Sequence, residues 1–336
     1  MDNKTDGVTS PPWLEDHFAS LGSMIARAQY PQGLLIHGPP GTGRRYLGLW
    51  LASQLLRIPV SRLAHLAETV VGEEAEAELG HPDLMIVQPE PDKKIIAVEQ
   101  IRDVTGFLQL KSHQGGARVV LCWPAESMNA AAANGLLKTL EEPPPGSAII
   151  LIAAAPGQVR PTVLSRCHRL RVSPPPADVA LAWLATHDTS AKWDLLLDFA
   201  GGAPLQALAL HRRGFTTQAQ MYTEDLRQLR QRQDTPAAVA KRWANGDPEL
   251  PLRWLYRQAA RSFSKAALDQ TPVLPTTQGN RLLQKPPKQR NMRPLLERLR
   301  EVEELYRNRA RAMSLDVQLT SLLQRWYGEV AGGDES

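Results

Sequence analysis

Apolar positions in the first 172 residues alternate between two spacings. Trp13, Phe18, Leu21 and Ile25 recur at helical intervals and predict a helix over 13–30. Gly33-Leu34-Leu35-Ile36-His37 is a short apolar run ending in a glycine-rich turn, the pattern of a buried strand. Further strands are expected at 84–87, 118–123, 148–153 and 170–172. Helices are expected over 46–56, over 98–110 with Val98, Ile101, Val104, Phe107 and Leu108 on one side, and over 129–141, where Pro143-Pro144-Pro145 stops the run. Strands alternating with helices imply an α/β layer around a parallel sheet. The pattern changes at Ser173-Pro174-Pro175-Pro176, beyond which no strand is expected. Short helices are expected over 177–211 around the turn Gly201-Gly202-Ala203-Pro204. From Thr216 the spacing is helical apart from a Pro/Gln-rich loop near 270–291. The last helices carry Leu295, Leu296, Leu299, Val302 and Leu305, then Leu315, Leu319, Leu322 and Leu323. The expected domains are 1–172, an α/β layer; 173–215, a small helical lid; and 216–336, all helical.

Length and composition fit this division. The 336 residues suffice for two or three domains, and 43% hydrophobic with 22% charged residues is ordinary for a soluble globular chain. No apolar run approaches the roughly 18–20 residues of a membrane span, and the polar start Met1-Asp2-Asn3-Lys4-Thr5-Asp6 leads into no apolar signal region. Two cysteines, Cys122 and Cys167, cannot build a disulfide framework, so a cytoplasmic protein is expected. The net charge of +4 permits nucleic acid as a neighbour without requiring it. Residues 281–311 hold ten Lys/Arg against four Glu, a local balance of +6. A solvated helix face is the first reading of this run and a DNA-facing patch the sharper one.

Two stretches carry candidate chemistry. Gly38-Pro39-Pro40-Gly41-Thr42-Gly43-Arg44-Arg45 has the length and glycine spacing of a phosphate loop. An intact loop ends in Gly-Lys-Ser/Thr, where lysine neutralises terminal phosphates and the hydroxyl ligates magnesium. Here Arg44 and Arg45 stand in those places, and Arg45 cannot ligate a metal. The tip of the third strand reads Cys122-Trp123-Pro124-Ala125-Glu126, with no acid in the first two places and Glu126 displaced, expected to cap or solvate the following helix. A hydrolytic site would hold magnesium there with acids. The bland reading is that Gly41 and Gly43 only make a tight turn; whether the loop amides hold an anion stays open. The second stretch is Ser165-Arg166-Cys167, about 25 residues after Asn134-Gly135-Leu136-Leu137-Lys138-Thr139-Leu140-Glu141-Glu142-Pro143-Pro144. Arg166 offers five donors that never deprotonate and suits a phosphate. Its bland alternative is a helix start capped by Ser165, with Cys167 a small buried residue.

Together these residues resemble the delta-prime family of bacterial DNA polymerase III clamp-loader subunits. The resemblance rests on the glycine loop, on His81-Pro82-Asp83-Leu84 followed by Val98-Glu99-Gln100-Ile101-Arg102, on Ala131 through Pro144, and on Ser165-Arg166-Cys167. It is most specific over 13–172, continues at Gly201-Gly202-Ala203-Pro204, and in the last third rests on length and helical character. It implies an AAA+ module, a lid, and a helical collar in a hetero-pentameric ring with tau/gamma and delta subunits. It also implies a member that does not hydrolyse ATP itself, a component of the DNA polymerase III holoenzyme by membership. Arg166, flanked by Ser165 and Cys167, would then be an arginine finger facing ATP bound by a neighbour, with clamp and primer-template DNA reached indirectly. Many relatives carry a four-cysteine zinc module where this chain has Arg57 to Gly80 without cysteine. His65, His81 and scattered glutamates are a poor substitute, so no zinc and no other cofactor is expected. The enzymatic rival is an active tau/gamma-type motor, which shares the later blocks but should carry an intact loop and strand-end acids. A free-standing P-loop kinase gives the helical third and Ser165-Arg166-Cys167 no role.

Overall fold

The computed structural model describes residues 10–64, 81–113, 115–245, 247, 249–268, 293–308 and 314–327. The chain divides into two compact units, Met1–Arg213 and Gly214–Ser336.

The first unit is built on a five-stranded, all-parallel sheet in the order β2-β3-β4-β1-β5. The strands are β1 (Gly33–His37), β2 (Leu84–Val87), β3 (Arg118–Cys122), β4 (Ser147–Ala153) and β5 (His168–Arg171). Strand β1 is a central strand covered on both faces, which is why Leu34, Leu35 and Ile36 are all fully buried. Side chains alternate between two cores, as the pleat requires. Leu34, Ile36, Val119, Leu121, Ile150 and Ile152 share one with α1 (Glu15–Ala26) and α2 (Arg44–Leu56). Leu35, Val120, Cys122, Ile149 and Leu151 share the other with α4 (Val98–Gln109) and α5 (Ala130–Glu141). The short α3 (Ser61–Ala64) follows α2.

Helix α5 is started by the Asn129 side chain, which accepts from the Ala132 N–H. Ala132, Ala133, Leu136 and Leu140 are buried, whereas Asn134, Lys138 and Glu141 are exposed. Strand β4 is followed by α6 (Pro161–Leu164), which leads into β5, and then come α7 (Ala177–Ala185), α8 (Trp193–Phe199) and α9 (Pro204–Arg212).

Most elements start or stop within three residues of the sequence expectation. The helix expected over 13–30 differs: Trp13 lies in a 3-10 turn before α1, and the helix stops at Ala26 with Arg27 as its cap. Strand β5 begins at His168, two residues before the expected start, because an edge strand with exposed His168, Arg169 and Arg171 hides its pattern.

The second unit is helical among the described residues: α10 (Phe215–Arg230), α11 (Pro236–Ala244), α12 (Glu249–Leu268), α13 (Arg293–Asn308) and α14 (Leu315–Tyr327). Helix α11 packs on α14 and α12 on α13. Tyr222, Trp243 and Trp254 form an aromatic core with ring centroids 4.8, 5.5 and 6.0 Å apart. The buried Asp225 accepts from Trp243 Nε1 at 2.7 Å and from Arg242 at 2.6 Å, and Arg242 reaches Asp234 at 2.7 Å as well. Leu319, Leu322, Leu323 and Val302 are buried, but Leu296, expected in the apolar stripe, is exposed. The loop near 270–291 and most of the basic run 281–311 lie outside the described residues. Of the run's cations, Arg293, Arg298 and Arg300 have described side chains. No described helix is long and apolar enough to cross a membrane.

Candidate functional site

The glycine loop leaves the C-terminal end of β1, the end of a parallel sheet where ligands ordinarily bind. Gly38 lies against the carbonyl of Val172, where a Cβ would collide, so only glycine fits. Gly41 has φ +79° and its missing Cβ would fall on Gln206, 2.6 Å from the Gln206 backbone nitrogen. The Leu205 N–H donates to the Gly41 carbonyl at 3.1 Å, so the start of α9 is bonded to the loop. From the other side the Trp13 indole N–H donates to the Thr42 carbonyl at 2.8 Å. Thr42 is fully buried, and its hydroxyl donates to the Pro39 carbonyl. The loop's one hydroxyl is therefore spent on its own backbone. Gly43, at φ +99°, precedes Arg44 and Arg45 in the first turn of α2.

These arginines make the loop end electropositive. Burial pulls Arg44 down to about 10, with Glu126 acting against the shift and Arg45 with it, so the guanidinium stays charged at neutral pH. Burial also lowers Arg45. His37, at the tip of β1, is held below its ordinary value first by burial and then by Arg171, Arg169 and Arg44. Glu126 lies in a 3-10 turn at the tip of β3, and its Oε1 accepts from the Ala154 N–H at the end of β4 at 3.1 Å. This corrects the expectation that it caps or solvates the next helix: it ties two strand tips together. Its Oε2 is buried without a hydrogen-bond partner among the described residues.

Ser165-Arg166-Cys167 lies at the other end of the sheet. It joins the end of α6 to the start of β5, and the Arg166 carbonyl would sit 3.3 Å from a Cβ on Gly33, the first residue of β1. Five residues of strand, roughly 16 Å at 3.3 Å each, separate this end from the glycine loop. Ser165 is the C-cap of α6, and its hydroxyl donates to the Thr162 carbonyl at 3.0 Å. The alternative of a serine N-cap at a helix start is thereby overturned: the motif ends a helix. Cys167 is partly buried, and burial pushes its thiol up to about 11.

The Arg166 guanidinium is held by its own chain. Nε donates to Glu141 Oε1 at 2.7 Å, and Nη2 donates to the same oxygen. Nη1 donates to the Thr162 carbonyl at 2.9 Å and to Ser165 Oγ at 3.2 Å. The side chain is still 31% exposed. Glu141 is the last residue of α5, which Pro143 stops two residues later, so the Glu-Glu-Pro-Pro sequence delivers a carboxylate to the arginine. Sequence reading quoted Glu141 but missed the pairing; the helix stop was the available signal.

His81-Pro82-Asp83-Leu84 has a structural account. Asp83 is buried and accepts from Ser112 Oγ at 2.8 Å and from the His113 N–H at 2.9 Å, with Arg118 at 3.5 Å. Arg118, also buried, donates to the Lys111 and Phe107 carbonyls and stacks on the Phe107 ring. The motif locks the entrances of β2 and β3. Of the segment that follows, Val98 and Ile101 face Gly135 of α5.

Among the described residues, no group of three or more His, Cys, Asp or Glu side chains is placed to hold a metal ion. His65 and most of the cysteine-free interval lie outside them.

A family model described as DNA polymerase III, delta subunit, matches residues 13–176. The chain is 37% identical over 248 residues to DNA polymerase III subunit delta' of Pseudomonas aeruginosa, covering 72% of this chain and 73% of that one. It is 33% identical over 201 residues to the Escherichia coli protein of that name, covering 59% and 60%. Among solved structures, a DNA polymerase III gamma subunit-related protein from Thermotoga maritima aligns with TM-score 0.48 and 16% identity over 92% of this chain and 98% of that one.

Proposed function

This chain belongs to the DNA polymerase III delta-prime family, and we propose that within the clamp loader it is a subunit that does not hydrolyse ATP but lends Arg166 to a neighbour's ATP. The observation that carries this reading is placement. Arg166 lies at the sheet end opposite the chain's own glycine loop, roughly 16 Å of strand away. It cannot reach an anion held by that loop, so a phosphate it touches belongs to another molecule. The loop's own chemistry agrees: Thr42 is bonded to Pro39, Arg45 replaces the magnesium hydroxyl, Glu126 is bonded to β4, and α9 is bonded to Gly41. The partners in this reading are tau/gamma subunits, which bind the ATP, and delta, in a hetero-pentameric ring acting on the sliding clamp and primer-template DNA. The protein itself holds no zinc or other cofactor.

An arginine finger stabilises charge developing on the transferred phosphoryl group and contributes on the order of 10³–10⁵-fold in rate at the site it faces. The test is reconstitution of the ring with tau/gamma, delta and Arg166→Ala. Assembly should persist, while clamp- and DNA-stimulated hydrolysis should lose the share of the facing site and clamp loading should weaken. A fully assembled Arg166→Ala ring that loads clamps at the normal rate would sink the reading. The isolated chain, mixed with ATP and magnesium, should show no turnover.

A further inference from the structure

We infer that Glu141 is a positioning residue for Arg166: it holds one edge of the guanidinium so that a remaining donor faces outward, already oriented, toward a phosphate on a neighbouring subunit. This inference rests on the proposed role of Arg166 and deepens it.

The hydrogen bonds assign the edges. A guanidinium carries five N–H groups in a rigid plane. Nε–H and one Nη2–H converge on Glu141 Oε1, while Nη1 serves the Thr162 carbonyl and Ser165 Oγ. The anchors come from two elements, the end of α5 and the end of α6, so both the plane and its rotation are set. The second Nη2–H is left, on a guanidinium whose charge Glu141 partly offsets. An anionic oxygen arriving there meets a donor that need not be ordered first, which is how preorganised groups lower a barrier.

Stability gives this pair little reason to exist. Arg166 is 31% and Glu141 49% exposed, and ion pairs so exposed contribute little to folding. Helix α5 reinforces the point. Its buried residues are accounted for by the core, whereas Asn134, Lys138 and Glu141, spaced four and three apart, form an exposed row that ends at the arginine. The geometry also explains why the residue is arginine. A lysine ammonium is a point charge without separate edges, so it cannot be anchored in this way and still present a fixed donor.

The experiment compares reconstituted rings containing wild type, Arg166→Ala, Glu141→Ala, Glu141→Gln and the double variant, with kcat and KM for ATP measured under clamp and DNA stimulation. Glu141→Ala should reproduce about half or more of the kcat loss of Arg166→Ala with KM unchanged. Glu141→Gln keeps an acceptor oxygen at the same reach and should recover most of the rate. The double variant should be no slower than Arg166→Ala alone, because Glu141 acts through the arginine. A wild-type kcat for Glu141→Ala beside a slow Arg166→Ala overturns the inference and leaves the finger intact. Losses that multiply in the double variant overturn it too, since Glu141 would then act elsewhere. A wild-type kcat for Arg166→Ala removes the reading beneath it. If Glu141→Ala does not enter the ring, Glu141→Asp carries the test: it withdraws the oxygen by one methylene, and a wild-type kcat there also overturns the inference.

Discussion

At the residue scale the informative positions are those where a side chain has no freedom to be otherwise. Gly41 combines φ +79° with a neighbour, Gln206, inside contact distance of any Cβ. Gly41→Ala should therefore cost more than the roughly 1 kcal/mol of an ordinary glycine replacement, because α9 must move as well. Chemical denaturation should show the lower midpoint; an unchanged midpoint would mean that α9 does not rest on the loop. The two cysteines allow a second check. Burial pushes Cys122 up to about 12 and Cys167 up to about 11. Thiolate is the reactive form, so neither should be alkylated appreciably by iodoacetamide at pH 8 in the folded protein, while both should react in denaturant. Mass spectrometry reads this directly. Arg166 was legible in the sequence through its motif; its pairing with Glu141 was signalled only by the proline stop that ends α5, because a surface pair across 25 residues leaves no periodic trace.

At the element scale, tightly buried polar groups explain what hydrophobic spacing leaves out. Spacing placed β1, β2 and α5 closely but says nothing about what joins the entrances of β2 and β3. Asp83 does so by gathering Ser112, the His113 amide and Arg118 in a buried site. Asp83→Ala would strand the Arg118 charge, and breaking such a pair costs about 3–5 kcal/mol. Thermal melts should register a large loss in the first unit, partly relieved by Asp83→Asn, which keeps an acceptor for Ser112. The opposite sheet end is sensitive to acid. His37 titrates below its ordinary value when folded, first through burial and then through Arg171, Arg169 and Arg44. An unfolded histidine takes its proton near 6.5. The contribution of His37 is thus complete above about pH 6.5 and is lost as pH falls through the lower folded value. Melting temperature should fall between pH 7 and 5, and His37→Gln should flatten that fall. His17, likewise lowered by burial, supplies a comparison outside the arginine cluster.

At the scale of the whole molecule, the alternation of strand and helix made the α/β layer legible, since a parallel sheet covered on both faces needs continuous apolar strands. Edge strand β5 was read short because exposed arginines broke its pattern. The opposed placement of the glycine loop and Arg166 follows from a parallel sheet, since the loop trails β1 and Ser165-Arg166-Cys167 precedes β5; what the sequence could not supply is the strand order that makes β1 and β5 neighbours. The helical third was read as helical, yet its internal logic is polar as well as apolar: Asp225 joins Trp243 to Arg242 under an aromatic core. We propose the second unit as the assembly domain; Leu319, Leu322, Leu323 and Val302 make it a packed bundle with its own core, able to act as a separate unit. The compact division after Arg213 makes the idea testable. A fragment of residues 1–213 holds both apolar cores of the sheet and should unfold cooperatively by itself. Mixed with tau/gamma and delta, it should fail to co-purify, and it should restore neither stimulated hydrolysis nor clamp loading, even though Arg166 and Glu141 are intact. Supplying residues 214–336 as a separate chain should compete with the full-length protein for the ring. A 1–213 fragment that joins the ring with undiminished affinity would place assembly in the first unit, and the exposed α5 face that ends at Glu141 would become the surface to mutate next.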